Sequence, residues 1–151
     1  MFMNVLIGCE CSQVVCNEFR KLGHNAFSCD IQDEYGGHPE WHIKSDVLPL
    51  LKGECKFITS DGKSHKILSH WDLIIIHPPC TYLSKAGANH LIRYDSNGNK
   101  CINRDRELKM HEAADFFYSI IRLVPKETKL CIENPMFLKM SGLPIRKTSG
   151  F

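Results

Sequence analysis

The chain has 151 residues, of which 43% are hydrophobic and 24% are charged, and this composition is typical of one globular domain with one buried core. No apolar run reaches the roughly 18 residues that span a bilayer, and residues 1–4 lack the basic segment that begins a secretory signal. The sequence therefore predicts a soluble, cytoplasmic protein and not a membrane or secreted one. The formal net charge of +2 does not require a nucleic-acid partner. The eight cysteines are expected to be reduced, because several lie in or beside apolar runs that predict core strands, namely Cys9, Cys29 and Cys131.

The first third of the chain alternates strand and helix patterns. Residues 4–8 form a short β-rich run, and residues 12–22 place apolar side chains at helical spacing. Gly23 follows, which predicts a helix that ends in a glycine C-cap. Residues 26–31 predict a second strand, and a further short run ends at residues 46–47. This order is typical of a βαβ unit.

The rest of the chain continues the alternation after one interruption. Residues 54–70 contain two short runs around a glycine turn and predict a surface hairpin insertion. Residues 71–76 are the most continuous apolar β run, typical of a central parallel strand, and Pro-Pro-Cys at 78–80 ends it. Residues 104–124 have helical spacing, and residues 129–133 predict another buried strand. Together the elements predict an α/β fold with a mainly parallel sheet, whose ligands bind beyond the carboxyl ends of the strands.

Glycine and polar residues gather at the predicted carboxyl ends of the strands, at Gly8 to Glu10, Asp30, Asp46, Cys80 and Glu133. Neighbouring parallel strands would place Cys80 and Glu133 at one mouth of the sheet. A thiolate there can attack an electron-poor ring carbon, while a carboxylic acid protonates or hydrogen-bonds the ring nitrogen that gains charge. The alternative is a buried structural cysteine and a strand-end glutamate that pairs with a lysine.

Five short motifs, in this order, resemble those of the DNA cytosine-5-methyltransferases. They are Val5-Leu6-Ile7-Gly8-Cys9-Glu10, Cys29-Asp30-Ile31, Ser45-Asp46-Val47, Pro78-Pro79-Cys80 and Glu133-Asn134-Pro135. In particular, residues 3–144 resemble the short methyltransferase-like proteins that bacteriophages and prophages encode. The resemblance implies a Rossmann-like S-adenosylmethionine-dependent methyltransferase fold with a mainly parallel sheet. It also implies a single domain over residues 1–151, with the hairpin insertion at 54–70 and a mobile loop at 81–103.

The resemblance implies that the cofactor is S-adenosylmethionine. Asp30 would bind its ribose and Asp46 its adenine amine, with Ile31 and Val47 on either side of the adenine ring. The backbone around Gly8 would approach the methionine part. The implied cofactor-binding set as a whole is Ile7, Gly8, Glu10, Asp30, Ile31, Asp46, Val47 and Pro78. For Asp30 and Asp46, loop or helix-capping roles are the alternative.

The implied substrate is cytosine in DNA. Cys80 would add to C6 of a flipped cytosine, Glu133 would bind N3 and the exocyclic amine, and C5 would accept the methyl group. Pro79, Lys85 and Asn134 complete the implied substrate-binding set, and residues 81–103 correspond to the mobile loop that closes on DNA. Residues 84–109 carry six basic and three acidic side chains, which suits a phosphate-facing loop, although a solvated face is the commoner explanation.

The chain departs from the family pattern in its first motif, after its catalytic motif and at its end. Cys9-Glu10-Cys11-Ser12 replaces small residues and glycines, which predicts a differently shaped and more acidic cofactor pocket. Thr81 and Pro135 replace a glutamine and a valine. No Gln-Arg-Arg motif, target-recognition domain or Gly-Asn motif follows the fifth strand, so the fold is expected to be C-terminally truncated. An incomplete sheet has an exposed edge, which a second copy could complete to form a homodimer.

Two classes of function stay open. The first is a DNA cytosine-5-methyltransferase in the cytoplasm of a bacterial or phage-infected cell. The second is a catalytically inactive methyltransferase-like protein that binds DNA, a nucleotide or a host factor. Amino-group methylation is not expected, because His77-Pro78-Pro79-Cys80 lacks the Asp/Asn/Ser-Pro-Pro-aromatic turn. Zinc is not expected either, because Cys9, Cys11 and Cys16 lack the paired spacing of zinc knuckles.

Overall fold

The computed structural model describes residues 1–84 and 90–133. In chain order, the strands and helices are β1 (Asn4–Gly8), α1 (Val14–Lys21), β2 (Asn25–Asp30), β3 (His42–Lys44), β4 (Cys55–Ile58), β5 (Ser64–Ile67), β6 (Leu73–Ile76), β7 (Ile92–Tyr94), β8 (Lys100–Ile102), α2 (Arg104–Leu123) and β9 (Lys129–Ile132). Short 3-10 turns at Pro39–Trp41 and Leu48–Lys52 flank β3. Within the described ranges, no helix is both long enough and apolar enough to cross a membrane.

The main sheet consists of five parallel strands in the order β3-β2-β1-β6-β9. The chain runs outward from β1 through β2 to β3 and then returns to the other side of β1 with β6. Such a reversal creates the crevice in which open parallel sheets bind their ligands. The predicted α/β class and parallel sheet are confirmed, and the strand order is compatible with a Rossmann-like fold.

The strand register brings the carboxyl ends of the central strands to one edge. Gly8 lies opposite Cys29 of β2 and Ile76 of β6, and Ile76 lies opposite Ile132 of β9. The residues that follow these positions therefore lie along the same edge of the sheet.

Side chains alternate between the two faces of the sheet, and each face has its own apolar layer. On one face Val5, Ile7 and Ala26 pack against Cys16 of α1. The larger layer lies on the other face, where α2 and the β4–β5 hairpin cover the strands. The fully buried residues of this layer include Leu6, Leu51, Trp71, Ile74, Ile76 and Ile120.

The predicted glycine C-cap of α1 is confirmed. Gly23 has a φ of 85°, its N–H donates to the carbonyl of Arg20, and the N–H of His24 donates to the carbonyl of Phe19. These two bonds form a Schellman motif, which ends the helix and turns the chain into β2.

The structure has two antiparallel hairpins among the described residues, and the first lies where the sequence predicts one. The β4–β5 hairpin falls within residues 54–70, and it also buries Phe57 and Ile67 in the main core. The β7–β8 hairpin lies in the segment that was expected to be a mobile loop. Asp95 stabilises its turn, because Asp95 Oδ1 accepts the backbone N–H groups of Asn97 and Asn99. The segment is mostly polar, so the sequence predicted a loop and not a hairpin.

The expectation that Cys131 lies in the core is wrong. β9 pairs only with β6 among the described strands, and its side chains alternate between a packed and an exposed face. Leu130 and Ile132 pack against the layer under α2, while Lys129 and Cys131 are exposed. The apolar run predicted a strand buried on both faces, because composition alone does not distinguish an edge from a centre.

Candidate functional site

A cleft of about 580 Å³ opens at the carboxyl edge of the sheet, and we call it the main cleft. Its walls come from the segments that follow β1, β2, β3 and β6 and from one side of α2. Four of the predicted cofactor residues line it, together with the predicted substrate residue Pro79: Asp30, Ile31, Asp46 and Val47. Cavities of this size hold ligands of several hundred daltons.

The two aspartates of the main cleft each use one carboxylate oxygen for their own loop. Asp30 Oδ1 accepts the backbone N–H of Gln32 at 2.9 Å, and Asp46 Oδ1 accepts that of Leu48 at 3.0 Å. Each carboxylate has a second oxygen that can accept a hydroxyl or amino group from a ligand. The local capping role and a ligand-binding role are therefore compatible.

Gly8 lets neighbouring side chains approach the end of β1. A Cβ on Gly8 would lie 2.8 Å from Cγ2 of Val47 and 3.2 Å from Cγ1 of Ile76. Since the first distance is too short for any real contact, only glycine allows Val47 to form the cleft wall here. Ile7 and Pro78 are buried and neither lines the main cleft, and Ile7 packs on the opposite face of the sheet.

Glu10 is buried, and its carboxylate points to the start of α1. Its oxygens accept the backbone N–H groups of Val15 at 2.7 Å and of Cys16 at 3.2 Å. Gln13, at the N-cap position, provides no side-chain cap, so Glu10 satisfies the free donors of the first turn. The Glu10 carboxylate therefore binds backbone N–H groups of α1, and Glu10 does not line the main cleft, where the sequence predicted an acidic contribution.

A buried chain of hydrogen bonds fixes the loop that forms one wall of the cleft. Gln13 Nε2 donates to Ser28 Oγ at 3.2 Å, and Ser28 Oγ lies 2.9 Å from His42 Nδ1. His42 Nε2 then lies 2.9 Å from the carbonyl of Gln32, which lines the main cleft. All three side chains of this chain are fully buried, so the network positions the wall and is not itself open to a ligand.

Cys9 lines the main cleft, but its thiol is a poor nucleophile. Burial raises the pKa of the Cys9 thiol to about 12, and the nearby carboxylates of Asp30 and Asp46 act in the same direction. The thiolate is the reactive form of cysteine. Cys9 therefore remains a neutral thiol at physiological pH, which leaves Cys80 as the candidate nucleophile at this edge.

We expect Cys9 to resist alkylation in the folded protein. With a pKa of about 12, its thiolate fraction at pH 8 is about one in ten thousand, against roughly a quarter for an unperturbed thiol. Iodoacetamide labelling at pH 8, followed by peptide mass spectrometry, should show labelling of Cys9 at least about a hundredfold slower in the native protein than in urea. Equal rates in the two conditions would contradict this assignment.

Glu133 and His77 are brought into direct contact at the ends of β9 and β6. His77 Nδ1 lies 2.9 Å from Glu133 Oε2, and the backbone N–H of Glu133 donates to the carbonyl of Ile76 at 3.0 Å. His77 Nε2 is buried and has no hydrogen-bond partner among the described residues. A proton on Nδ1 would be donated to Glu133, whereas a proton on Nε2 would be buried without a partner, so the geometry favours the Nδ1 tautomer.

Cys80 lies at the same edge, directly after the Pro78-Pro79 step. Its carbonyl accepts the backbone N–H groups of Leu83 and Ser84, so it begins a tight turn, and its side chain is partly exposed. The turn holds Cys80 beyond the end of β6, as the sequence predicted. The predicted substrate residues Lys85 and Asn134 lie outside the described residues.

Several residues of the main cleft were not predicted from the sequence. His77 precedes the Pro-Pro step, and Gln32 lies two residues after Asp30. Cys9, Cys29 and Ser45 belong to the quoted motifs but not to the predicted site residues, and five more come from the turn after Cys80 and from α2: Tyr82, Lys109, Glu112, Ala113 and Phe116. Phe116 belongs to the apolar stripe of α2 and packs against the core as well. Within the described ranges, no group of three or more His, Cys, Asp or Glu side chains is arranged to hold a metal ion.

Comparison of the chain with protein-family models, with curated proteins and with solved structures finds no match.

Proposed function

We propose that the chain is an S-adenosylmethionine-dependent methyltransferase that modifies C5 of cytosine in DNA through Cys80. The observation that carries the proposal is the set of residues at the carboxyl edge. Four of the eight residues expected around the cofactor line the main cleft, and Cys80 and Glu133, which lie outside its lining, follow the neighbouring strands β6 and β9. The main cleft lies at the strand reversal, and its volume and its lining residues both suit a nucleoside-containing ligand.

The residues of the main cleft fit the proposed cofactor. Asp30 and Asp46 each have a carboxylate oxygen for a ribose hydroxyl or an adenine amine, and Ile31, Val47 and Phe116 provide apolar surface for a purine ring. When bound, the cofactor supplies an electrophilic methyl group. The side chains around it would orient the nucleoside part and exclude water from the edge of the sheet.

The chemistry at the cytosine would use Cys80 and the His77–Glu133 pair. The Cys80 thiolate forms a bond to C6, which makes C5 nucleophilic, and C5 then accepts the methyl group. Loss of the C5 proton to water and cleavage of the bond between Cys80 Sγ and C6 release the product. Glu133, which His77 Nδ1 contacts, would act in its protonated form: its carboxyl would give a proton to N3 as Cys80 adds to C6, and would accept a hydrogen bond from the exocyclic amine.

One observation favours a second candidate, a non-catalytic binding protein with the same cleft. Asp30 and Asp46 already accept backbone N–H groups, as residues with purely structural roles would. Such a protein would act through DNA, a nucleotide or a host factor in the cytoplasm of a bacterial or phage-infected cell. In that case Cys80→Ala would leave its biological effect unchanged.

Covalent trapping tests the proposal. A duplex containing 5-fluorocytosine cannot lose the C5 substituent after methyl transfer, so the Cys80–C6 bond should persist as an adduct that survives denaturing electrophoresis. We expect this adduct with the wild-type chain plus S-adenosylmethionine and with Cys101→Ala, whose thiol lies on the β7–β8 hairpin. No adduct in the wild type, or an adduct that persists in Cys80→Ala, would remove the catalytic proposal.

A further inference from the structure

A second depression, of about 480 Å³, lies beside the main cleft, and we call it the basic groove. Its walls come from the β7–β8 hairpin, the first turns of α2 and the turn after Cys80. The charged and aromatic side chains that line it are Tyr82, His90, Arg93, Asp105, Arg106 and Lys109. Three full positive charges thus face one carboxylate, in a chain whose net charge is only +2.

Tyr82 organises the cations of the basic groove. The guanidinium of Arg106 lies 5.0 Å from the centroid of the Tyr82 ring, and Lys109 Nζ lies 5.8 Å from it. Arg106 also donates from Nη2 to the carbonyl of Thr81 at 3.0 Å. These contacts hold the cationic side chains in place before any ligand arrives, which reduces the entropy that a ligand must overcome.

The concentration of positive charge points to a ligand of opposite charge. Like charges gathered in one concave surface repel one another and raise the local potential, and a bound anion relieves that repulsion. Arg93 and Lys109 are exposed at the rim, where they can reach anionic oxygens. A single small anion would fill little of the groove, so an extended polyanion suits it better.

We propose that the basic groove binds backbone phosphates of the DNA strand that presents its base to the main cleft. Tyr82 and Lys109 line both depressions, so a phosphate in the groove would lie next to the cleft. The identity of the polyanion rests on the proposed function, whereas the anion site itself rests on the side chains of the groove. The β7–β8 hairpin and α2 thereby supply a DNA-contacting surface within this chain.

The proposal is tested by the salt dependence of DNA binding. The full chain is titrated into a short fluorescein-labelled duplex at several salt concentrations, without cofactor, for the wild type, Arg93→Gln and Lys109→Gln. Each phosphate contact that is lost should lower the slope of log affinity against log salt by about one. Arg122→Gln is the matched control, because it removes the same kind of charge from an exposed position on α2 about 20 Å further along the helix.

We expect Arg93→Gln and Lys109→Gln to weaken binding and reduce the slope, with Arg122→Gln close to wild type. If all three variants lose the same amount, or none loses any, the groove is not the phosphate site. Calorimetry with S-adenosylmethionine separates this result from the proposed function, since Arg93 lies outside the main cleft and Arg93→Gln should bind the cofactor as the wild type does. A chain that binds DNA through the groove but binds no cofactor would keep this inference and remove the methyltransferase.

Discussion

Replacement of Cys80 by alanine is expected to lower methyl transfer to cytosine by at least about a thousandfold, because removal of a catalytic nucleophile leaves only binding and positioning to support the reaction. The rate is measured as transfer of a labelled methyl group from S-adenosylmethionine to duplex DNA. The substitution should leave folding intact, since Cys80 is partly exposed and the hydrogen bonds that stabilise its turn are made by its backbone carbonyl, which alanine keeps.

Two further variants show whether the loss belongs to the nucleophile. Cys101→Ala removes another partly exposed thiol and should keep the wild-type rate. Glu133→Gln keeps the size of the side chain and a hydrogen-bonding oxygen for His77 but removes the acid, so we expect an intermediate loss. If Cys80→Ala retains more than about a tenth of the wild-type rate, Cys80 is not the nucleophile.

Replacement of Trp71 by alanine is expected to lower the free energy of unfolding by about 3–5 kcal/mol. Trp71 is fully buried, its ring stacks on Phe57 with centroids 5.9 Å apart, and its Nε1 donates to the carbonyl of Leu50 at 2.9 Å. The substitution leaves a large cavity and an unpaired buried carbonyl. Urea unfolding followed by far-UV circular dichroism measures the change.

Because a loss of this size approaches the total stability of many domains, Trp71→Phe provides a milder variant that should still fold. It keeps most of the apolar contact and removes the N–H donor, so we expect a loss of about 1–2 kcal/mol. Trp41→Phe is the control, since Trp41 is only half-buried, and it should cost less than either variant of Trp71. Equal costs for Trp41→Phe and Trp71→Phe would contradict the central role of Trp71 in the core.

The sequence predicts the main sheet well because its strands are unambiguous. The Leu73–Ile76 strand is continuous and apolar, and the residues that end β1 and β2 are types that rarely occur inside strands. Once a parallel sheet is expected, Gly8, Asp30 and Asp46 have to lie at its carboxyl edge. The positions of these residues then follow from topology without knowledge of any side-chain contact.

The side chains that complete the site could not be predicted in the same way. Phe116 has the spacing of a core residue, and periodicity does not distinguish a side chain that faces the core from one that also faces a cleft. Glu10 occupies a motif position, but its carboxylate caps α1, because Gln13 is committed to Ser28 and the loop at His38. The hydrogen-bond partners of Glu10 and Gln13 depend on contacts between distant parts of the chain, which a local sequence pattern does not predict.

Titration of the full chain with S-adenosylmethionine by calorimetry tests the proposed methyltransferase most directly. We expect binding at one site, weakened about tenfold or more by Asp30→Asn, which can keep the cap on Gln32 but loses the charge that would hold the ribose. Asp33→Asn, an exposed carboxylate paired with Lys44, should bind the cofactor as the wild type does. No binding by the wild type, or equal affinity in all three proteins, would contradict a cofactor site in the main cleft.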